Sequence, residues 1–205
     1  MQLSGHKGIV HTCQFSPDGL RLATAGEDKT VFLWALFGQD PDNYEVLAQG
    51  EHKNDVLQLV FSADSKFIVT ASADHTGGLF DLEQGMRVKS FRHKSFVNAV
   101  AVGGPGALEV VTGSDDCTAA RWDARQKVPV AVYRSPFQVT CVAAAPDMAT
   151  VYTGGIDEIV RAWDTRTGKE AFQLRGHADS LTGLALNADG TALASNAMDN
   201  SLRLW

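Results

Sequence analysis

The stretch SNAMDNSLRLW, Ser195 to Trp205, sets a serine ten residues ahead of a tryptophan and an aspartate six ahead of it. The same spacing runs through TAGEDKTVFLW (Thr24 to Trp34), TGSDDCTAARW (Thr112 to Trp122) and TGGIDEIVRAW (Thr153 to Trp163). A fifth copy, TASADHTGGLF (Thr70 to Phe80), carries Phe in the Trp position. The aromatic positions 34, 80, 122, 163 and 205 are therefore 46, 42, 41 and 42 residues apart. A period near forty belongs to solenoids, propellers and arrays, so the content of each unit decides the fold.

Each unit holds short runs of β-branched and aromatic residues divided by turn chemistry, with no sustained helical period. In the first, IVHTCQF reads as a strand, SPDG as a turn, LRLATAG as a strand, EDKT as a turn and VFLW as a third strand. The first turn recurs at constant spacing as SADS (Ser62 to Ser65), GPGA (Gly104 to Ala107), APDM (Ala145 to Met148) and NADG (Asn187 to Gly190). Asp, Pro and Gly favour such places through preset φ, tolerance of positive φ and side-chain bonds to the local backbone. A fourth strand lies between units in NYEVLAQ, RVKSF, VAVYR and KEAFQL. Four antiparallel strands per unit and no helix make a sheet that buries both faces against neighbouring sheets, the arrangement of propeller blades.

A polar set recurs with the strands. His6, His52, His93 and His177 lie 28, 28, 29 and 28 residues before their Trp or Phe. The sets are His6, Thr24, Asp28, Trp34; His52, Thr70, Asp74, Phe80; His93, Thr112, Asp116, Trp122; and His177, Ser195, Asp199, Trp205. The fourth unit supplies Thr153, Asp157 and Trp163, with Ser135 where the spacing calls for His. A buried indole N–H needs an acceptor, and a hydroxyl can accept from it while donating onward to imidazole. The imidazole can then donate to the turn carboxylate, pinning a loop and two strands of one blade together. A Ser or Thr, His and Asp also look like a hydrolase triad, but a catalytic set occurs once, whereas this one repeats with an indole donor attached. These residues are assigned structural roles, and no catalytic residue is expected.

Gly5-His6, Gly176-His177, Trp122-Asp123 and Trp163-Asp164 resemble the marks of the WD-repeat (WD40) family, over the whole chain. The resemblance implies an all-β WD40 β-propeller in one domain, 1–205, with four-stranded repeats at approximately 1–34, 44–81, 87–123, 130–164 and 170–205. It also implies a rigid platform for other proteins. The family usually closes seven blades, so five repeats are expected to be part of a seven-bladed ring. The alternative is a five-repeat ring in which MQLS, Met1 to Ser4, supplies the outer strand that the last unit lacks.

Four segments resemble, in order, the spliceosomal branch of that family: LSGHKGIVHTCQFSPDG, VKSFRHKSFVNAV, TGGIDEIVRAWDTR and the run from Arg175 to Trp205. That implies a nuclear, non-catalytic subunit that helps assemble a small nuclear ribonucleoprotein through its large scaffold protein. A peptide-binding adaptor in chromatin or signalling complexes is the other reading open to the fold. Three departures stand out: Ser135 for His, Phe80 for Trp with Gly77-Gly78 inside the same strand, and Trp34-Ala35 without the Asp. The second and fourth blades are expected to be the weakest.

Composition narrows the partners. Eighteen basic against twenty-four acidic residues give a net charge of -6, and the densest basic run is KSFRHK, Lys89 to Lys94. A chain gripping phosphate backbone by itself carries a basic face, so RNA association is expected to be indirect. No apolar run approaches membrane-spanning length, and MQLSGHKGIV lacks the pattern of a secretory signal, so neither membrane nor secretion is expected. Cys13, Cys117 and Cys141 show no C-x-x-C spacing; each is expected to be a small buried residue in a reducing compartment. His11 and His75 fall outside the repeat positions, with no Cys, Asp or Glu at metal-ligand spacing. GGPG (Gly103 to Gly106) reads as a turn, since no helix or Lys follows to cradle phosphate. No metal or cofactor is expected. From Trp34 to His52 the chain spends 18 residues, against 13 from Phe80 to His93. The added LFGQDPDNYE carries Asp40, Asp42 and Glu45, a candidate partner loop for a basic surface.

Overall fold

The alternating runs fold as strands throughout. A computed structural model describes residues 2–35, 44–46 in backbone only, 52–104 and 109–205. Among them no helix occurs, and none is long and apolar enough to cross a membrane. The chain divides into two compact units, Met1–Val97 and Asn98–Trp205.

In the first unit, β1 (Val10–Phe15), β2 (Arg21–Gly26), β3 (Val31–Ala35) and β4 (Tyr44–Val46) form one antiparallel sheet in chain order. The second sheet runs β5 (Val56–Phe61), β6 (Phe67–Ser72), β7 (Thr76–Asp81) and β8 (Met86–Arg92). The two sheets pack through Ala23, Ala25, Val31, Leu33, Val56, Leu59, Ile68 and Phe80, all buried. Burying a side chain such as Ile68 or Phe80 contributes roughly 1.5–3 kcal/mol.

The second unit begins a residue into β9 (Val97–Gly103), followed by β10 (Glu109–Ser114), β11 (Thr118–Asp123) and β12 (Ala131–Arg134) in one sheet. The next holds β13 (Val139–Ala144), β14 (Thr150–Gly155), β15 (Ile159–Asp164) and β16 (Lys169–Arg175). The last holds β17 (Leu181–Leu186), β18 (Leu193–Ala197) and β19 (Leu202–Leu204), three strands, as the missing fourth run predicts. Residues 2–9 hold no strand. Within each unit the sheets have the consecutive antiparallel strand order of propeller blades.

Hairpin register explains the ten-residue spacing. Leu22 pairs with Trp34, Ile68 with Phe80, Val110 with Trp122 and Val151 with Trp163. Side chains alternate along a strand, so the hydroxyl two residues beyond each partner lies diagonally against the aromatic ring on the same face.

The turns repeat as faithfully as the strands. Asp18 Oδ1 accepts the Leu20 N–H at 2.9 Å, and Asp64, Asp147 and Asp189 do the same for the residue two places on. The fourth residue of these turns has positive φ at Gly19, Ser65, Met148 and Gly190. The turn between second and third strands carries a positive φ in every repeat, at Lys29, His75, Cys117, Glu158 and Asn200. None of these five is glycine; at four of them the preceding Asp accepts the N–H of the residue after, which favours the left-handed turn, whereas Asp157 before Glu158 makes no such bond.

One expectation needs correction. Cys141 is buried, and burial pushes its thiol up to about 12, but Cys13 is exposed on β1 and Cys117 sits half-buried in a turn. Gly77 and Gly78 lie within a continuous β7 paired on both sides. A Cβ on Gly78 would come 2.7 Å from the Phe80 ring and 3.1 Å from Arg87 Nε, so this glycine makes room for neighbours.

Candidate functional site

The recurrent polar sets sit where the β2–β3 type of hairpin meets the segment leading into the first strand of the same sheet. In the first sheet the Trp34 indole N–H donates to Thr24 Oγ1 at 2.8 Å, and His6 Nε2 lies 2.7 Å from the same oxygen. His6 Nδ1 lies 2.8 Å from Asp28 Oδ2. Because Thr24 accepts from the indole, its one hydroxyl hydrogen goes to Nε2, and Nδ1–H donates to Asp28. The fifth sheet repeats the chain of bonds: Trp205 to Ser195 at 2.9 Å, Ser195 to His177 at 2.7 Å, and His177 to Asp199 at 2.9 Å.

The other sheets vary the theme. In the second, His52 bridges Thr70 at 2.8 Å and Asp74 at 2.9 Å, but Phe80 offers no donor. Arg87 closes that side: its Cζ stands 5.8 Å from the Phe80 ring centre, and Nη2 donates to the Gly77 carbonyl at 2.8 Å. In the third, Trp122 donates to Thr112 at 2.8 Å and Asp116 accepts the Thr118 N–H at 3.0 Å; His93 lies in the first unit, between β8 and β9. In the fourth, Trp163 donates to Thr153 at 2.9 Å, but Ser135 reaches neither Thr153 nor Asp157. Arg161 takes the carboxylate instead, Nη2 to Asp157 Oδ2 at 2.6 Å, with both side chains over nine-tenths buried. Arg161 Nε also stands 3.4 Å from Glu170, without hydrogen-bond geometry.

Burial and hydrogen bonding compete for these carboxylates. At Asp28 and Asp74 burial pushes the carboxyl up, but bonds from the histidine, from the Lys7 or Lys53 N–H and from Thr30 or Thr76 outweigh it. At Asp199 the Ser201 hydroxyl leads, followed by the Ala178 N–H. All three end below the usual carboxylate range. A group whose folded value lies below its unfolded value of about 3.9 contributes stability above that pH and surrenders it as pH falls through the folded value. Urea midpoints taken at about pH 6, 4 and 3 should therefore fall, and Asp74→Asn should flatten that fall. An unchanged slope in the variant would remove Asp74 from the acid limb.

Sequence reasoning missed what the Asp after the aromatic does. Asp123 Oδ1 accepts the Arg125 N–H at 2.9 Å and pairs with its guanidinium, which pulls the carboxyl down to about 2. Asp81 accepts from the Glu83 and Gln84 N–H groups, and Asp164 from those of Arg166 and Thr167. Each shapes the turn into the outer strand. The recurring Trp-Asp pair was the available signal.

Nothing in these sets resembles working catalysis. Ser195, superficially a nucleophile beside His177, is 1% exposed and occupied by the indole. His11, by contrast, gains neighbours that spacing did not show: it sits at a β-bulge of β1, and ligand-capable atoms of His11, Glu27 and Asp55 lie within 4.8 Å of one another. His11 and Glu27 are exposed, and Glu27 also accepts the Ile9 N–H at 3.2 Å, so the cluster does not by itself make a metal site. Asp40 and Asp42 lie outside the described residues, and Glu45 falls in β4 opposite Leu33.

The family profile described as WD domain, G-beta repeat matches residues 1–35, 45–81, 85–123, 127–164 and 168–205. The chain belongs to the WD40 family. Among WD40 relatives it is 42% identical over 192 residues to the human U5 small nuclear ribonucleoprotein 40 kDa protein, covering 93% of this chain and 53% of the relative. It is 38% identical over 179 residues to the Dictyostelium discoideum protein of the same name, covering 86% and 50%. It is 34% identical over 183 residues to the pre-mRNA-splicing factor cwf17 of Schizosaccharomyces pombe, covering 89% and 53%. The chain thus spans about half the length of the curated relatives it matches.

Proposed function

We propose that this WD40 chain is a non-catalytic scaffold in the U5 small nuclear ribonucleoprotein, acting in pre-mRNA splicing through protein–protein contacts in the nucleus. The observation that carries the reading is its 34–42% identity, over most of its length, to relatives named for that particle or for splicing. A shared WD40 fold alone would not choose among functions, because function resides in sites and surfaces rather than in architecture.

The site chemistry supports a scaffold. The repeated His, hydroxyl and carboxylate groups are spent inside the blades, where they hold loops to strands, and they leave no assembled nucleophile facing solvent. A net charge of -6 disfavours a direct grip on RNA, so the contact with the particle runs through its proteins, foremost its large scaffold protein. The acidic connection bearing Asp40, Asp42 and Glu45 is proposed as one contact, suited to a basic protein surface.

Purifying an epitope-tagged gene product from nuclear extract at moderate salt should recover U5 RNA together with the large U5 proteins. Replacing Asp40, Asp42 and Glu45 by Ala should reduce that recovery; unchanged capture would discard the loop while leaving the splicing reading. Recovery of histones or signalling proteins without U5 RNA would instead favour the adaptor reading and overturn the splicing one.

A further inference from the structure

We propose that the free edge of β12, with the Lys127–Val132 run that leads into it, is a docking edge for an extended apolar segment bearing acidic residues, contributed by another protein. The inference does not depend on the splicing reading, since it concerns what this edge can pair with.

β12 is the outer strand of its sheet, hydrogen-bonded on one side to β11. The Val130 and Ser135 N–H groups turn inward to the Arg121 and Cys117 carbonyls. Counted back from Ser135, backbone direction alternates along the antiparallel strand, so Val132 and Arg134 present their N–H and C=O groups to the open side; Val130 bonds one residue out of that register, just before the strand begins. Such a row is a template for another strand unless something blunts it.

Its counterpart in the neighbouring sheet of the same unit is blunted. β16 exposes Phe172, but flanks it with exposed Lys169 and Glu170 and a chain of bonds from Arg175 to Gln173 and from Gln173 to Glu170. Around β12 three apolar side chains are exposed in close succession, Val128, Val130 and Val132, at 65%, 45% and 43%. Three exposed valines beside unpaired backbone give up apolar surface to water for no gain within the blade. Pro129 is compatible with an edge, because it leaves no ladder bond unmade on the inner side.

Charge selects the occupant. The segment from Arg125 to Arg134 contains Arg125, Lys127 and Arg134 and no acidic residue, in a chain whose net charge is -6. Arg125 is already paired with Asp123, whereas Lys127 and Arg134 are exposed at the two ends of the valine run. A second copy of this chain would set one basic edge against another, which is unfavourable for residues facing across a strand pair. An extended segment with alternating apolar residues and acidic flanks meets both demands: main-chain bonds supply adhesion, and side chains supply selection.

The test uses the 205-residue chain and a labelled synthetic peptide of about ten residues, alternating isoleucine with glutamate and threonine, against a counterpart with lysine for glutamate. The acidic peptide should bind at least about tenfold more tightly at low salt, and amide exchange at Val132 and Arg134 should slow in its complex. Val132→Lys should weaken binding by about tenfold or more while leaving the urea midpoint unchanged, because that side chain faces solvent. Equal binding of both peptides, absence of binding, or protection confined to other segments would overturn the proposal. Concentration-dependent dimerisation abolished by Val132→Lys would also overturn it, by assigning the edge to a second copy.

Discussion

Replacing His52 by Leu is expected to remove about 3 kcal/mol of folding stability. His52 is 2% exposed and holds Thr70, itself fully buried, on one side and Asp74 on the other. A leucine fills much of the imidazole volume, so packing changes little and the loss is polar. Thr70 loses its nitrogen partner, leaving its hydroxyl only the long 3.4 Å approach to the Gly78 carbonyl. Asp74 loses one charge-assisted bond but keeps those from the Lys53 N–H and from Thr76, which limits the cost. Stripping every partner from a buried charge would cost more, about 3–5 kcal/mol. Guanidinium unfolding of the variant beside His11→Leu, whose ring is exposed, separates the network from the general effect of losing a histidine. A difference under about 1 kcal/mol between the two would mean that the polar sets do not hold the blades together.

Much of this architecture was legible in the chain because the repeat multiplies weak signals. One serine ten residues from one tryptophan means little; five such pairs at a period near forty specify a hairpin register, and the diagonal contact of Thr24 with Trp34 follows from it. The polar sets were legible for the same reason. What stayed hidden was the chemistry that departs from the repeat. Arg161 lies four residues from Asp157 in a position that Phe32, Gly78, Ala120 and Arg203 occupy in the other sheets, and Arg203 accompanies an intact histidine set, so comparison between repeats does not mark Arg161 as the replacement for histidine. Arg87 likewise closes the second set from the neighbouring strand, across a bulge that spacing does not encode. Positive φ at Lys29 or His75 leaves no trace in residue type, because a side-chain carboxylate, and not a glycine, favours it. The cluster of His11, Glu27 and Asp55 exists only once two sheets are packed.

The largest single effect is expected at Arg161. Among the described residues its guanidinium is the one partner of an Asp157 carboxylate whose side chain is 8% exposed, and Asp157 Oδ1 has no hydrogen-bond partner even with Arg161 in place. Arg161→Ala therefore leaves a buried carboxylate without its cation, and a loss of about 3–5 kcal/mol is expected. That figure measures the harm of an orphaned charge and not the worth of the pair. Replacing both residues, Arg161→Met with Asp157→Leu, should restore most of the loss, since burying two charges costs about as much as their attraction returns. A double variant as unstable as Arg161→Ala alone would show that the pair contributes through packing of the hairpin. The histidine position offers a sharper discrimination. Ser135 stands where His6 and His177 stand in the first and fifth sheets, and there imidazole reaches its aspartate at 2.8–2.9 Å. In the presence of Arg161, Ser135→His should bring no gain, because the carboxylate is already engaged. In the Arg161→Ala background the same substitution should recover about 1–2 kcal/mol by rebuilding the chain from Trp163 through Thr153 to Asp157. Recovery measured by chemical denaturation only in that background makes Arg161 a functional replacement for the missing histidine; equal effects in both backgrounds would make the two positions independent.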